Sequence, residues 1–425
     1  MPSLVRNIQK TVLPNGLRVV TEYMPTVRSI AVGVWVNSGS RHEAEPETGI
    51  THFTEHMVFK GTENFSAQDI AISIDSLGGH LDAFTSKETT AFTAKVLDEH
   101  LPQALDMLAD MVQRPTFVED DIEREKGVVL EELKMDEDNP DYLIGEVFAC
   151  SFWSGHGLGR PIIGNARSIK AYSQPQLRGF FERTFRPTNL LITAAGNAEH
   201  DTVVEQVRQR FKNPAAEAAV KHEQMPQPVA EIILRDKPSL EQVHMNLGVE
   251  TFSIQDSKRY AGYVLSTLLG GGFSSRLFQK IREQAGLAYT VYADLGLYSD
   301  TGCLSVYAGT SLDSLSRVID YTLHEFRDLK ENLVPDQEIR RAKDQLKGGM
   351  MLSLESTGSR MTNLARQETH HGRVRSLDEI NDEIEAVTKG EIQDLANEWF
   401  HQERLALAVL GNLQGLSIDR ESLAC

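Results

Sequence analysis

Three residues that could do chemistry together stand within one short stretch, His52-Phe53-Thr54-Glu55-His56. On a helix, positions four apart share a face, so both imidazoles can reach one ion. Two neutral histidines suit zinc. Glu55 lies on nearly the same face, placed to take a proton from a water activated by that ion and to pass it on. Two histidines four apart by coincidence is the competing reading, and a third ligand would weaken it. Catalytic zinc usually takes three protein ligands and keeps a fourth position open. The stretch after Thr116 offers Glu119, Asp120, Asp121, Glu123, Glu125, Glu131 and Glu132. Glu125 and Glu132 share a helical face, with Val128 or Val129 between them. Most of these acids read as a solvated surface. Spacing alone says that some carboxylate here could close the site, without choosing one. A closed structural zinc site would be rich in cysteine, and no cysteine lies near.

The surrounding pattern supplies elements to hold these groups. Leu13-Pro14-Asn15-Gly16 makes a turn before the strand Leu17-Arg18-Val19-Val20, and Ser29 to Ser38 is a second strand. Gly49 to Phe59 reads as the short helix carrying the histidines. Ser66 with Asp69 starts another, ending at Gly78-Gly79. Leu81 to Val96 alternates as a hairpin, and Leu101 to Val112 is an amphipathic helix. Thr116 with Glu119 forms a capping-box signal for a helix running to about Met135. The same order returns downstream: a strand from Val243 to Val249, helices at Arg259 to Leu269 and Ser274 to Gln284, alternating strands from Leu287 to Gly309, and helices from Leu312 to Leu329 and from Asp336. Leu190 to Ala195 before Gly196-Asn197, and Leu405 to Leu410 before Gly411-Asn412, repeat one strand-and-turn at an offset of about 215 residues. Hairpins and helices without strict alternation indicate an α+β fold. The expectation is two homologous domains, each a largely antiparallel mixed sheet covered by helices. The expected boundaries are 1–213 and 231–425, joined by a linker at 214–230 that is rich in proline and alanine.

Composition narrows the function. The chain has 425 residues, 40% hydrophobic and 24% charged, enough apolar material for two cores. Its formal net charge of −18 argues against a nucleic-acid surface. It would mildly favour basic peptides, although solubility alone explains it. Cys150, Cys303 and Cys425 suggest neither disulfides nor a thiolate metal site. No stretch reaches the length of a membrane span. The segment Met1 to Arg6 lacks an apolar signal core. The expectation is a cytoplasmic protein with no nucleic-acid or membrane partner.

The motif in this setting resembles the pitrilysin/insulinase family of zinc metallopeptidases, whose His-x-x-Glu-His inverts the zincin pattern. The likeness is to its short-chain branch, with mitochondrial processing peptidase and bacterial relatives, and it covers nearly the whole chain. It implies zinc, one per chain, held by His52, His56 and Glu132, with Glu55 as general base and Glu125 orienting a ligand. It implies that the strand Gly79 to Thr85 receives an extended peptide by backbone pairing, through Ala83, Phe84 and Thr85. Asp82 stands where the family often has asparagine.

In the second half, the helix matching the histidine helix falls within Gly262 to Leu269 and has no histidine, so no second zinc site is expected. Gly270-Gly271-Gly272 lacks the Lys-Ser/Thr of a phosphate loop and reads as a helix-to-helix turn. Arg282 and Tyr289 match a family pair that binds substrate backbone and steadies the oxyanion. By themselves they read as a surface arginine and a strand aromatic. The resemblance further implies a chamber formed by two such chains, hence a homodimer, with the Arg/Tyr pair of one chain facing the zinc of the other. The function implied is a zinc endopeptidase for peptides or unfolded segments. The alternative is a non-catalytic substrate-binding or scaffold subunit of the same fold, a class that typically loses part of the zinc motif.

Overall fold

The computed structural model describes residues 6–213 and 224–425. Residues 214–223 of the expected linker lie outside the described residues, and 224–230 form neither helix nor strand. The strands are β1 (Asn7–Val12), β2 (Arg18–Tyr23), β3 (Ser29–Val36), β4 (His80–Thr85), β5 (Thr90–Leu97), β6 (Leu190–Gly196), β7 (Ile232–Asp236), β8 (Val243–Thr251), β9 (Ala288–Leu297), β10 (Gly302–Thr310) and β11 (Ala406–Gly411). The helices are α1 (Ile50–Val58), α2 (Ala67–Ser76), α3 (Leu101–Met111), α4 (Glu119–Asp138), α5 (Pro140–Phe152), α6 (Ala166–Ala171), α7 (Gln174–Thr184), α8 (His200–Arg210), α9 (Arg259–Gly270), α10 (Leu312–Glu331), α11 (Asp336–Ser353), α12 (Thr357–His371), α13 (Leu377–Ala386) and α14 (Lys389–Trp399).

The strands form two sheets, ordered β1-β2-β6-β3-β5-β4 and β7-β11-β8-β10-β9. In the first, β2 pairs parallel with β6 and the other pairs are antiparallel. In the second, β7 pairs parallel with β11 and the rest are antiparallel. Apart from β1, the two sheets have one plan, with β6 and β11 in equivalent places. These are the two strands whose repeat is visible in the sequence. The α+β architecture of two alike domains is therefore observed.

Contacts group the chain into two compact units. One holds the described residues of Met1–Lys134, Arg160–Glu223 and Met351–Ser376; the other holds those of Met135–Gly159, Gln224–Met350 and Leu377–Cys425. Two helices cross the sequence halves. In the first unit, α12 lays Met361, Leu364 and Ala365 on Val20, Ala31, Trp35 and Leu191. The opposite face of that sheet meets α1, α3 and α8 in the main core. This explains why Ser29–Val36 reads as an apolar run without alternation: both faces of β3 are covered. In the second unit, α5 lays Ile144, Phe148 and Phe152 on Ala406, Ala408 and Leu410.

Ser66 and Asp69 form the expected capping box. The expected cap at Thr116 does not form. Its hydroxyl donates to Gly61 O instead, and α4 begins at Glu119. The segment expected as an α-helix from Ser274 to Gln284 contains a π-helix at Phe278–Gln284. The glycine run is a turn, but Gly270 is also a packing residue. A Cβ there would stand 2.2 Å from Ala293 N, so only glycine lets α9 close on β9. Among the described residues no helix is long and apolar enough to cross a membrane.

Candidate metal centre and active site

Helix α1 is amphipathic. Ile50, Phe53 and Met57 are buried in the first core, and burying that stripe fixes which way the remaining face points. That face carries His52, Glu55 and His56, with the two imidazole centroids 4.6 Å apart. Helix α4 runs beside it and buries Ile122, Glu125 and Val129. Two turns past Glu125, Glu132 reaches the histidines. Its Oε1 is 3.7 Å from His52 Nε2, and its Oε2 is 3.5 Å from His56 Nε2. One donor atom from each of the three lies within 4.8 Å of the others, the one such group found among the described residues. A tetrahedral zinc with bonds of ~2.0–2.1 Å separates its ligands by about 3.4 Å. Two imidazole nitrogens and one carboxylate are the donors such an ion takes. The residues present fit zinc.

Each ring has a different support. His56 Nδ1 donates to Glu125 Oε1 at 2.8 Å, which leaves Nε2 free to face Glu132. Glu125 is itself held by Lys60 Nζ, 2.7 Å from Oε2. Burial alone would raise Glu125, but the bonds from His56 and Lys60 outweigh it and keep its carboxyl below the usual range. Burial would likewise lower His56, and the carboxylates of Glu125 and Glu132 reverse this. Burial, then the neighbouring His56, depresses His52 to about 4, so its imidazole is neutral at pH 7, the form that can bind a metal ion.

Glu55 is buried beside the donors. Burial pushes its carboxyl up, while a hydrogen bond from the Thr85 hydroxyl to Oε2 and the charge of His56 pull it down. A carboxyl so raised is a competent proton acceptor and donor.

Thr85 ends β4, which among the described residues pairs with β5 alone and forms the edge of its sheet. Leu81 and Ala83 pack toward the core, while Phe84 points the other way, edge-on to Trp35 at 5.9 Å between centroids. The free backbone of β4 is therefore available for another strand. The sequence puts Ala83, Phe84 and Thr85 on this strand, but no local spacing links Thr85 to Glu55. Lys60 lies past the end of α1, four residues after His56, so helical spacing in the sequence does not point to its contact with Glu125.

Arg282 and Tyr289 lie together in the second unit. The Arg282 guanidinium sits 4.5 Å from the Tyr289 ring centroid and 4.7 Å from that of Phe278. The π-helix carries Arg282, and Tyr289 is 76% exposed on the edge strand β9. Cation–π contact on two sides orders an arginine that reads as a free surface residue in sequence.

Comparison with known proteins accords with this arrangement. A sequence profile described as "Insulinase (Peptidase family M16)" matches residues 18–166, and one described as "Peptidase M16 inactive domain" matches 172–346. The chain is 40% identical over 403 residues to "Uncharacterized zinc protease YmxG" of Bacillus subtilis, covering 95% of this chain and 98% of that one. It is also 40% identical over 410 residues to "Uncharacterized zinc protease Mb2805c" of Mycobacterium bovis, covering 95% and 93%. A crystal structure of a protease from Helicobacter pylori shares the fold, with a TM-score of 0.89 at 21% identity over 96% of this chain and 100% of that one. With a metal-capable triad on the first sheet's helices and relatives alike along nearly their whole length, the chain belongs to the insulinase family of peptidases, M16.

Proposed function

We propose that this chain is a zinc endopeptidase that hydrolyses extended peptides or unfolded segments. The observation that carries it is the convergence of His52 Nε2, His56 Nε2 and Glu132, with Glu55 buried beside them and oriented separately by Thr85. The names of the relatives support it. His52, His56 and Glu132 would hold the ion, and Glu125 would orient His56 through Nδ1. When bound, zinc supplies Lewis-acid polarisation of a carbonyl and lowers the pKa of water toward neutrality. Glu55 takes the proton from the attacking water as its oxygen bonds to the scissile carbon. It then delivers that proton to the amide nitrogen as the C–N bond breaks. Backbone groups of Ala83, Phe84 and Thr85 on β4 would pair with the peptide, which binds without demanding particular side chains. Arg282 and Tyr289 would donate to substrate backbone and the developing oxyanion. They would come from the partner in a homodimer, which would close the chamber around the peptide.

The test is metal replacement. Protein stripped by a chelator is mixed with a peptide pool, zinc is returned at one equivalent, and products are read by mass spectrometry. Cleavage that returns with zinc supports the proposal. Zinc retained at one per chain with every peptide intact would favour the non-catalytic subunit.

A further inference from the structure

Helix α1 has no acidic residue in its first turn, and its N-cap, Gly49, has no side chain to offer. Gly49 stands at φ +92°, where a Cβ would meet Ile163 O at 2.6 Å and the Gly164 Cα at 2.7 Å. A capping serine or aspartate cannot replace it without displacing backbone. The open N–H groups are met from upstream instead. Glu43 is 5% exposed, and its Oε2 accepts from Gly49 N–H at 2.7 Å while its Oε1 accepts from Thr51 N–H at 2.8 Å. A carboxylate at this end also suits the helix dipole. The surrounding turn is held twice more. Arg160 Nη2 donates to Glu43 O, and the Tyr172 hydroxyl donates to Thr48 O.

The residue after Thr51 is His52. Unlike His56, His52 has no carboxylate behind its ring: its Nδ1 is buried without a hydrogen-bond partner among the described residues. The aim of its Nε2 rests on where the first turn of α1 is placed. We infer that Glu43 is a positioning residue of the metal centre, fixing the N-terminus of α1 and through it the direction of His52. This rests on reading His52, His56 and Glu132 as a zinc site.

The test compares wild type, Glu43→Gln and Tyr172→Phe by zinc affinity in chelator competition, with amide hydrogen exchange over residues 50–53 in the metal-free protein. Glutamine keeps the shape but places an amide donor against one of the two N–H groups. The expected result is a loss of zinc affinity of about 10- to 100-fold in Glu43→Gln and faster exchange at the start of α1. Tyr172→Phe should change both in the same direction by less. A lowered melting temperature with wild-type affinity and wild-type exchange would make Glu43 a stabilising residue only and overturn the inference. Should Glu43→Gln fail to fold, unchanged affinity in Tyr172→Phe overturns it. A wild-type chain that binds no zinc overturns the zinc reading and the metal-positioning role with it. The exchange readout keeps that failure distinct from one confined to Glu43.

Discussion

His56 is oriented by Glu125, and Glu125 is held in turn by Lys60, so one ligand of the candidate site depends on a chain of two further side chains. Replacing Glu125 with glutamine is expected to weaken zinc by about 10- to 100-fold, measured by chelator competition. Unchanged affinity would remove Glu125 from the account. Thr85 bonds to Glu55, the proposed base, and not to the candidate metal ligands. Thr85→Val is therefore expected to lower kcat while zinc content stays at the wild-type level, and Thr85→Ser is expected to keep activity near wild type. A loss of zinc in Thr85→Val would contradict that division. At this scale the sequence showed His52, Glu55 and His56 plainly, because the helical period alone puts them on one face. Glu132 stood among seven acids and was singled out only by family likeness. Thr85 beside Glu55, and Glu43 at the helix start, were not legible. Each is a contact across a loop or between elements, and no local spacing encodes it.

The elements were legible wherever their pattern was local. The Asn-Gly turn, the Ser66–Asp69 box, and the paired strand-and-turn of β6 and β11 each follow from short-range chemistry. What the pattern lacked was the destination of a buried helix. An apolar face says that α12 must be covered, but not that it lies on the sheet formed by the other half of the sequence. Leu364 is fully buried there. Leu364→Ala should cost about 2–5 kcal/mol in urea unfolding, and a change near zero would mean that α12 adds little to that unit. The failed Thr116 cap has a similar cause, since a partner distant in sequence, Gly61 O, took its hydroxyl. Helix α8 meets its sheet through His200, whose Nε2 and Nδ1 each lie 2.8 Å from the hydroxyls of Thr11 and Thr21. Burial holds this imidazole below its ordinary pKa. Such a group binds more protons unfolded than folded. Its contribution to stability is complete above the ordinary histidine range, ~6.5, and is lost as pH falls below it. Between pH 8 and pH 5 the urea midpoint of wild type should fall further than that of His200→Gln. Parallel falls would show that His200 does not titrate as described.

At the scale of the whole molecule, the two sheets share a plan but not a chemistry. Only the first unit brings two histidines and a glutamate together among the described residues. Metal analysis is expected to give one zinc per chain and none in His52→Ala; two per chain would mean a site in the second unit. The proposed chamber requires a second copy, so sedimentation should give about twice 47.4 kDa, and a monomer active against peptides would remove the shared site. The central claim is that Glu55 moves the proton in a zinc-dependent hydrolysis. Its most direct test is cleavage of one peptide pool by wild type and by Glu55→Gln, both carrying equal zinc. The expected result is a rate lowered by about 10²- to 10⁴-fold in the variant with zinc content unchanged. Equal rates at equal zinc would contradict it.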